Sequence, residues 1–369
     1  MRRQDKRAPG TARIPVAVLG ATGMVGQRFV SLLAEHAWFS LASVAASDRS
    51  AGRRYADIVR WRQARPLPVA AADAMVEPCT PDGKPALVFS ALDGEVAGPI
   101  ETAFAAAGHL VISNAKSHRL APSVPLIIPE VNPDHLGVLD AAAEGAGAII
   151  TNPNCSSIGL VMALAPLAAR FGLRAVQVTT LQAISGAGLP GVPGLEIADN
   201  VIPRIEGEEE KLEAEPLKIL GELTDGRIEP AEFPISAQCN RVGVVDGHTA
   251  CVSVRLARPA TVDDLRTTWT TFQADAGVRN LPSAPRCPVH VIDDEDGPQP
   301  RLHRDLDGGM ACSVGRVRPC PVQDFKFVTV SHNTVRGAAG GALLVGELAV
   351  ARGYLPGVAP PGVARTGGR

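Results

Sequence analysis

The sequence predicts an α/β protein in two parts: a parallel sheet covered by helices, then an α+β part with a mixed sheet, and a last helix returning to the first part. Three observations predict it. A short apolar run, Ile14 to Leu19, opens directly onto a glycine-rich turn. Strand-like and helix-like segments then alternate to about residue 150, the order that builds a parallel sheet buried on both faces. From about residue 175 the segments rich in β-branched residues lengthen and are joined by long connections instead of single crossover helices. At 369 residues the chain also exceeds what one hydrophobic core usually holds.

Each element has its own signal. After the turn, Val25, Phe29, Leu32 and Leu33 recur at helical spacing. Leu41 to Ala46 reads as a second buried strand and Ala86 to Leu92 (ALVFSAL) as a third. A helical stretch from about Val96 to Ala107 and a strand from His109 to Ile112 follow, and the pattern changes near Ala148 to Ile150. The later strand-like segments are Ala175 to Leu181, Thr249 to Leu256, Ala311 to Val317 and Phe325 to Ser331. One connection, Gly207 to Leu220 (GEEEKLEAEPLKIL), is charged and partly helical, and the final apolar helix covers roughly Thr334 to Ala351. The expected division is 14–153 together with a helix at about 334–352, then 154–333, with disordered tails at 1–13 and 355–369.

Composition excludes several classes. Hydrophobic residues make up 46% and charged residues 20%, ordinary for a globular chain, and the formal net charge of −2 points to neither nucleic acid nor membrane. No apolar run approaches the ~20 residues of a membrane span. The basic start, MRRQDKRAPGTAR, lacks the apolar stretch and cleavage site of a signal peptide, so a cytoplasmic protein is expected. Seven cysteines, at 79, 155, 239, 251, 287, 312 and 320, include no Cys-x-x-Cys pair. That argues against a disulfide framework and against structural zinc, and no metal is expected.

The turn Gly20-Ala21-Thr22-Gly23-Met24-Val25-Gly26 follows a strand and opens a helix, the context of a Rossmann-type dinucleotide site. Glycines permit the sharp turn and let the backbone approach a pyrophosphate, whose charge sits on the helix N-terminus. Gly20, Thr22, Gly23, Met24, Val25 and Gly26 are therefore candidate cofactor residues. The spacing is G-x-x-G-x-x-G, not the commoner G-x-G-x-x-G. At the end of the second strand, Ser47, Arg49 and Ser50 suit a 2′-phosphate and favour NADP, although Asp48 in the same run would suit the ribose of NAD.

Thr151-Asn152-Pro153-Asn154-Cys155-Ser156-Ser157 precedes an apolar helical segment, which puts Cys155 at a helix N-terminus. There the dipole and free amides lower a thiol pKa and can bind a developing oxyanion. The polar neighbours of Cys155 are not those of an inert core cysteine. Asp246-Gly247-His248-Thr249 supplies a histidine at the mouth of a strand, suited to acid/base work.

With these motifs in hand, the chain resembles the aspartate-semialdehyde dehydrogenases, and within them the archaeal and fungal branch. The resemblance runs from about residue 14 to 352, anchored by GATGMVGQRF, AASDRSAG, SNAKSHR, NPNCSS, QAISGAG, DNVIP, GEEEK, CNRVGVVDGHT and SHNTVRGAAG. It implies Cys155 as nucleophile, His248 as acid/base and Gln182 as the glutamine that positions substrate beside the thiol. It implies Arg241 on the substrate α-carboxylate, a task that suits a planar guanidinium. Glu208 is implied at the substrate amino group, with the adjacent glutamates leaving that assignment open by one residue. Lys211, Arg119 and Asn154 are implied at the phosphate; Ser185, Gly186 and Asn333 lie in segments implied at the cofactor. Gly94, in the variable run LDGE, is a weaker cofactor candidate.

The implied reaction is NADPH-dependent conversion of L-aspartyl 4-phosphate to L-aspartate 4-semialdehyde with release of inorganic phosphate, by a homodimer or homotetramer. It serves lysine, threonine, methionine and isoleucine synthesis, or a secondary pathway if the chain is a paralogue. Malonyl-CoA reductase is the rival on the same fold; it would not need a carboxylate for an amine. N-acetylglutamyl-phosphate reductases carry NPGC where this chain has Asn154 before Cys155. A non-catalytic NADP-binding protein would be expected to lose the nucleophile, and Cys155 is present.

Overall fold

Strand β1 (Ile14–Leu19) is buried along nearly its whole length: parallel neighbours flank it, and its alternate side chains enter cores on both faces of the sheet. The computed structural model describes residues 13–141, 146–355 and 357–358. β1 belongs to a six-stranded sheet with β2 (Phe39–Ala46), β3 (Glu77–Pro78), β4 (Leu87–Ser90), β5 (Leu110–Ser113) and β6 (Ala148–Thr151), in the order β3-β2-β1-β4-β5-β6. All five pairings are parallel. The order reverses between β1 and β4, and the crevice at the carboxyl ends there is where such sheets bind ligands.

The glycine turn sits in that crevice. Gly20 has φ +72, and a Cβ on it would lie 2.5 Å from the Ala91 carbonyl oxygen at the end of β4. A Cβ on Gly26 would meet the Gly20 carbonyl oxygen at 2.1 Å. Both positions therefore exclude any larger residue. The helix Met24–Leu33 follows, burying Phe29, Val30 and Leu33. β2 starts two residues before the apolar run that suggested it. His36 Nδ1 accepts the amides of Trp38 and Phe39, at 3.1 and 2.9 Å, and turns the chain into the strand.

The second sheet is mixed. It contains β7 (Leu173–Gln182), then, beyond a separate hairpin of β8 (Glu222–Thr224) and β9 (Arg227–Glu229), β10 (Ile235–Arg241), β11 (His248–Leu256), β12 (Val289–Ile292), β13 (Cys312–Pro319) and β14 (Phe325–Ser331). The order is β10-β7-β11-β14-β13-β12, parallel at its two outer pairs and antiparallel between. β10 and β12 lie outside the strand-like segments expected from the sequence, although VHVI of β12 is short and rich in β-branched residues. ISAQCNR is polar, and its extended form comes from pairing along β7. The helix Cys155–Phe171 is buried on nearly every side, within a core that includes Trp269 and Phe327. Such all-round burial explains why its apolar residues show little periodicity.

The C-terminal helix returns to the first sheet, but not as one helix from 334. Residues Val335–Ala339 form a wide turn, with the Gly337 amide bonded to His332 O and the Ala339 amide to Thr334 O, and Ala338 leaves helical geometry at φ −150, ψ −105. Backbone packing explains the break, since a Cβ on Gly341 would meet the Arg336 carbonyl oxygen at 2.4 Å. The helix Gly340–Ala351 then buries Leu343, Leu344, Val345 and Leu348 in the first core. Its Glu347, fully buried, accepts from Ser283 Oγ at 2.6 Å and lies 2.8 Å from His36 Nε2. Leu355, expected within the disordered tail, is buried in the same core; most of both tails lies outside the described residues. Among the described residues no helix is long and apolar enough to cross a membrane.

Candidate active site

Three strand ends meet at one edge of the second sheet. β7 and β10 run parallel, and their register sets Arg241 opposite Gln182 at their carboxyl ends. β11 runs against β7 and begins there, with Thr249 opposite Leu181, so His248 stands at the same edge. Cys155 arrives as the first residue of the helix Cys155–Phe171. Its sulfur lies 3.2 Å from His248 Nε2. Asn154 is the N-cap, its Oδ1 accepting the Ser156 amide at 2.8 Å.

Burial dominates the electrostatics of this pair. The Cys155 residue keeps some exposure, but its sulfur is closed in, and burial pushes the thiol up to about 12, with the negative charge of Glu208 adding to the rise. Arg119, Arg241 and Lys211 pull the other way and do not prevail. Burial thus acts against the lowering expected at a helix N-terminus. Burial also drives His248 down to about 3, assisted by Arg241. The pair is therefore a neutral thiol beside a neutral imidazole, not an ion pair.

Ala183 joins two of these groups. Its amide donates to His248 Nδ1 at 3.0 Å, and its carbonyl accepts from Arg241 Nη1 at 2.8 Å. Next to it, Gly186 is packed so closely that a Cβ would lie 2.9 Å from Arg241 Nη1 and 3.0 Å from His248 Cε1. Ser185 Oγ accepts from Asn333 Nδ2 at 2.8 Å, while Asn333 Oδ1 accepts the Gly247 amide.

The helix Glu208–Ile219 supplies the acidic side. Of its three leading glutamates, Glu208 turns inward: it accepts from Lys211 Nζ at 2.7 Å, Asn154 Nδ2 at 3.0 Å and Gln182 Nε2 at 3.3 Å. Glu209 instead accepts the Cys239 amide. Arg119 reaches the site from a loop, donating to Glu215 Oε1 at 2.9 Å and to the Asn114 carbonyl at 2.6 Å.

The structure thus gathers Cys155, His248, Gln182, Arg241, Glu208, Lys211, Arg119 and Asn154 within one continuous set of contacts. Thr22, Gly23, Met24 and Val25 lie with Gly20 and Gly26 on the first sheet's side. Gly23 caps the helix Met24–Leu33 without a side-chain bond, as suits an anion-binding helix start. Ser47 and Arg49 are exposed beyond β2, and the Ser50 amide closes a turn onto Ser47 O at 2.8 Å. That first-sheet helix packs against the turn Val335–Ala339. In the turn, a Cβ on Gly337 would lie 2.7 Å from Cys155 Cβ. Gly337, Ala183 and Glu215 were missed in the sequence, although each lies in a motif already singled out. For Glu215, seven residues after Glu208, helical periodicity was a usable signal. Among the described residues no group of three or more His, Cys, Asp or Glu could hold a metal ion.

Fold and site together are those of an oxidoreductase with a cysteine at its centre. The family "Semialdehyde dehydrogenase, NAD binding domain" matches residues 15–138, and "Semialdehyde dehydrogenase, dimerisation domain" matches 164–336. An aspartate-semialdehyde dehydrogenase of Archaeoglobus fulgidus is 47% identical, covering 92% of this chain and 98% of its own. That of Saccharomyces cerevisiae is 48% identical, covering 92% and 98%. The crystal structure of the Candida albicans aspartate-semialdehyde dehydrogenase with NADP superposes with a TM-score of 0.86 at 44% identity, covering 92% of this chain and 99% of that one. The chain belongs to the aspartate-semialdehyde dehydrogenase family.

Proposed function

We propose that this chain catalyses the reversible, NADPH-dependent reductive dephosphorylation of L-aspartyl 4-phosphate to L-aspartate 4-semialdehyde through a thioester on Cys155. The pathway is synthesis of lysine, threonine, methionine and isoleucine. The observation that carries the reading is the 3.2 Å approach of Cys155 Sγ to His248 Nε2, with Arg241 and Glu208 near enough for their charges to act on the thiol. In this reading His248 Nε2, once its own proton has shifted to Nδ1, takes the thiol proton, and Cys155 Sγ bonds to the acyl carbon as the carbon–oxygen bond to phosphate breaks. Arg119, Lys211 and Asn154 hold the departing phosphate. Arg241 takes the α-carboxylate, Glu208 the α-amino group, and Gln182 orients the acyl group.

The crevice fits a dinucleotide: Gly20 and Gly26 leave no room for side chains at the turn, and a Cβ on Gly23 would meet nothing closer than 3.4 Å. When bound there, NADPH supplies the hydride that reduces the thioester. Its holders would be Gly20, Thr22, Gly23, Met24, Val25 and Gly26, with Ser47, Arg49 and Ser50 toward the 2′-phosphate and Ser185, Gly186 and Asn333 toward the nicotinamide. His248 then donates from Nε2 as the thiohemiacetal carbon–sulfur bond breaks and the sulfur leaves.

The division of labour follows the two sheets: 14–153 with 334–352 for the cofactor, 154–333 for catalysis and dimerisation, in a homodimer or homotetramer. The seven cysteines are all free thiols, which supports a cytoplasmic location. The test is purified protein with phosphate, NADP and aspartate semialdehyde, followed at the absorbance of NADPH, beside malonyl-CoA with NADPH. Reduction of malonyl-CoA without turnover of aspartate semialdehyde would overturn the substrate assignment. Cys155→Ala should abolish turnover and retain NADP binding.

A further inference from the structure

One face of the helix Glu208–Ile219 carries Glu208, Lys211, Glu215 and Lys218, spaced so that all four side chains project to the same side. The first two belong to the substrate site proposed above. The other two touch no substrate, yet both are buried, with Glu215 at 1% exposure. Glu215 Oε1 accepts from Arg119 Nη1 at 2.9 Å, and Oε2 accepts the main-chain amide of Asn154 at 2.7 Å. Lys218 Nζ donates to the carbonyls of Arg119, Ala121 and Val124, each at 2.7 Å. Burial lowers Lys218 to about 8, and the charge of Glu215 opposes that shift.

A buried carboxylate facing a phosphate-binding arginine needs a reason, because its charge opposes the anion. The geometry supplies one. Arg119 is gripped at both ends by one helix, its guanidinium by Glu215 and its carbonyl by Lys218. The same Glu215 carboxylate fixes the residue immediately before Cys155. Phosphate subsite and nucleophile are thereby set by one side chain at a fixed separation.

We propose that Glu215 is a positioning residue that aims Arg119 at the phosphate and registers it with Cys155, Lys218 anchoring the loop that carries Arg119. This rests on the reading of Arg119 as a phosphate ligand.

The test uses the full chain with NADP bound. Glu215→Gln leaves one acceptor oxygen for two donors, so inorganic phosphate titrated by calorimetry should bind about tenfold more weakly. KM for phosphate should rise in step while NADP affinity is unchanged. Because Glu215 acts on phosphate mainly through Arg119, its effect should shrink sharply once Arg119 is already Ala, the remainder being its hold on Asn154. Additive losses overturn the proposal. So does tighter phosphate binding by Glu215→Gln, which would make the carboxylate a competitor for Arg119. If Glu215→Gln does not fold, Glu215→Asp keeps the charge one methylene short of spanning both donors; wild-type phosphate affinity in that variant overturns the proposal. Calorimetry separates the two readings: phosphate binding with this dependence, without turnover of aspartate semialdehyde, sinks the substrate assignment and leaves Glu215 in its role.

Discussion

The backbone amide of Ala183 donates to Nδ1 of His248 at 3.0 Å, and this contact decides where the ring proton sits. A nitrogen that accepts cannot also carry hydrogen, so the neutral imidazole bears its proton on Nε2, toward the Cys155 sulfur. His248 is thus posed first as a donor. To take the thiol proton it would have to move its own proton to Nδ1 and give up the Ala183 bond. In the ligand-free protein, ¹⁵N NMR of labelled histidine should show an unprotonated Nδ1 and a protonated Nε2 for His248. Burial holds the ring down to about 3, so the pattern should persist unchanged from pH 5 to 9. A protonated Nδ1 anywhere in that range would contradict this account.

The thiol offers a second check. Burial, and after it Glu208, pushes Cys155 up to about 12, so at neutral pH only a small fraction is thiolate. A raised pKa means the reactive form accumulates only as pH rises. Alkylation of the ligand-free protein by iodoacetamide should therefore accelerate about tenfold per pH unit between pH 7 and 10, without a plateau. Glu208→Gln removes a charge that holds the proton on, and should raise the rate by up to about tenfold at fixed pH. A plateau below pH 7 would reveal a preformed thiolate–imidazolium pair instead.

Cofactor choice is tested at Arg49, exposed beyond the end of β2. If it meets the 2′-phosphate, Arg49→Ala should lower NADP affinity by about ten- to a hundredfold, the scale of one charge-assisted hydrogen bond of roughly 1.5–3 kcal/mol. NAD affinity should barely change. Fluorescence titration with the two nucleotides measures both, and equal losses would return Arg49 to the status of a surface residue.

Gly337 tests the wall behind the nucleophile. A Cβ there would lie 2.7 Å from Cys155 Cβ and 2.9 Å from its Cα, atoms that cannot swing aside. Gly337→Ala should displace Cys155 from His248 and lower kcat by at least about tenfold, at a stability cost of about 1–3 kcal/mol. Steady-state kinetics with thermal melting would show both. Unchanged kcat in a folded variant would mean that the turn Val335–Ala339 yields and the cysteine does not.

What could be read in advance follows the kind of signal each part leaves. β1, its glycine turn and the helix after it were legible because periodicity and glycine spacing are local. Cys155 and His248 stood out by their polar settings, and the family resemblance extended that reading to Gln182 and Arg241. β10 was not legible, since ISAQCNR becomes a strand only through β7. Neither was the state of the thiol. Helix position is visible in a sequence, whereas the burial and the Glu208 charge that raise the thiol depend on residues distant along the chain. Nor could Val335–Ala339 be told from ordinary helix, because its break goes with close approaches, of Gly337 to Cys155 and of Gly341 to the Arg336 carbonyl and the Asn152 side chain, that local sequence does not display.

The helix Gly340–Ala351 bears on how the protein comes into being. The first sheet is made first by the ribosome, yet Leu343, Leu344, Val345 and Leu348 of its core come from near the end of the chain. Until they arrive, Phe39 and Phe89 lack the Gly346 backbone they pack against. The whole second sheet must be synthesised in the meantime. The nascent glycine-turn unit therefore waits with part of its apolar core exposed, a state that invites aggregation or chaperone capture. A chain cut short just before this helix loses a wall of the first sheet and the buried Glu347 that meets His36 and Ser283, so premature termination near the end would open the first core.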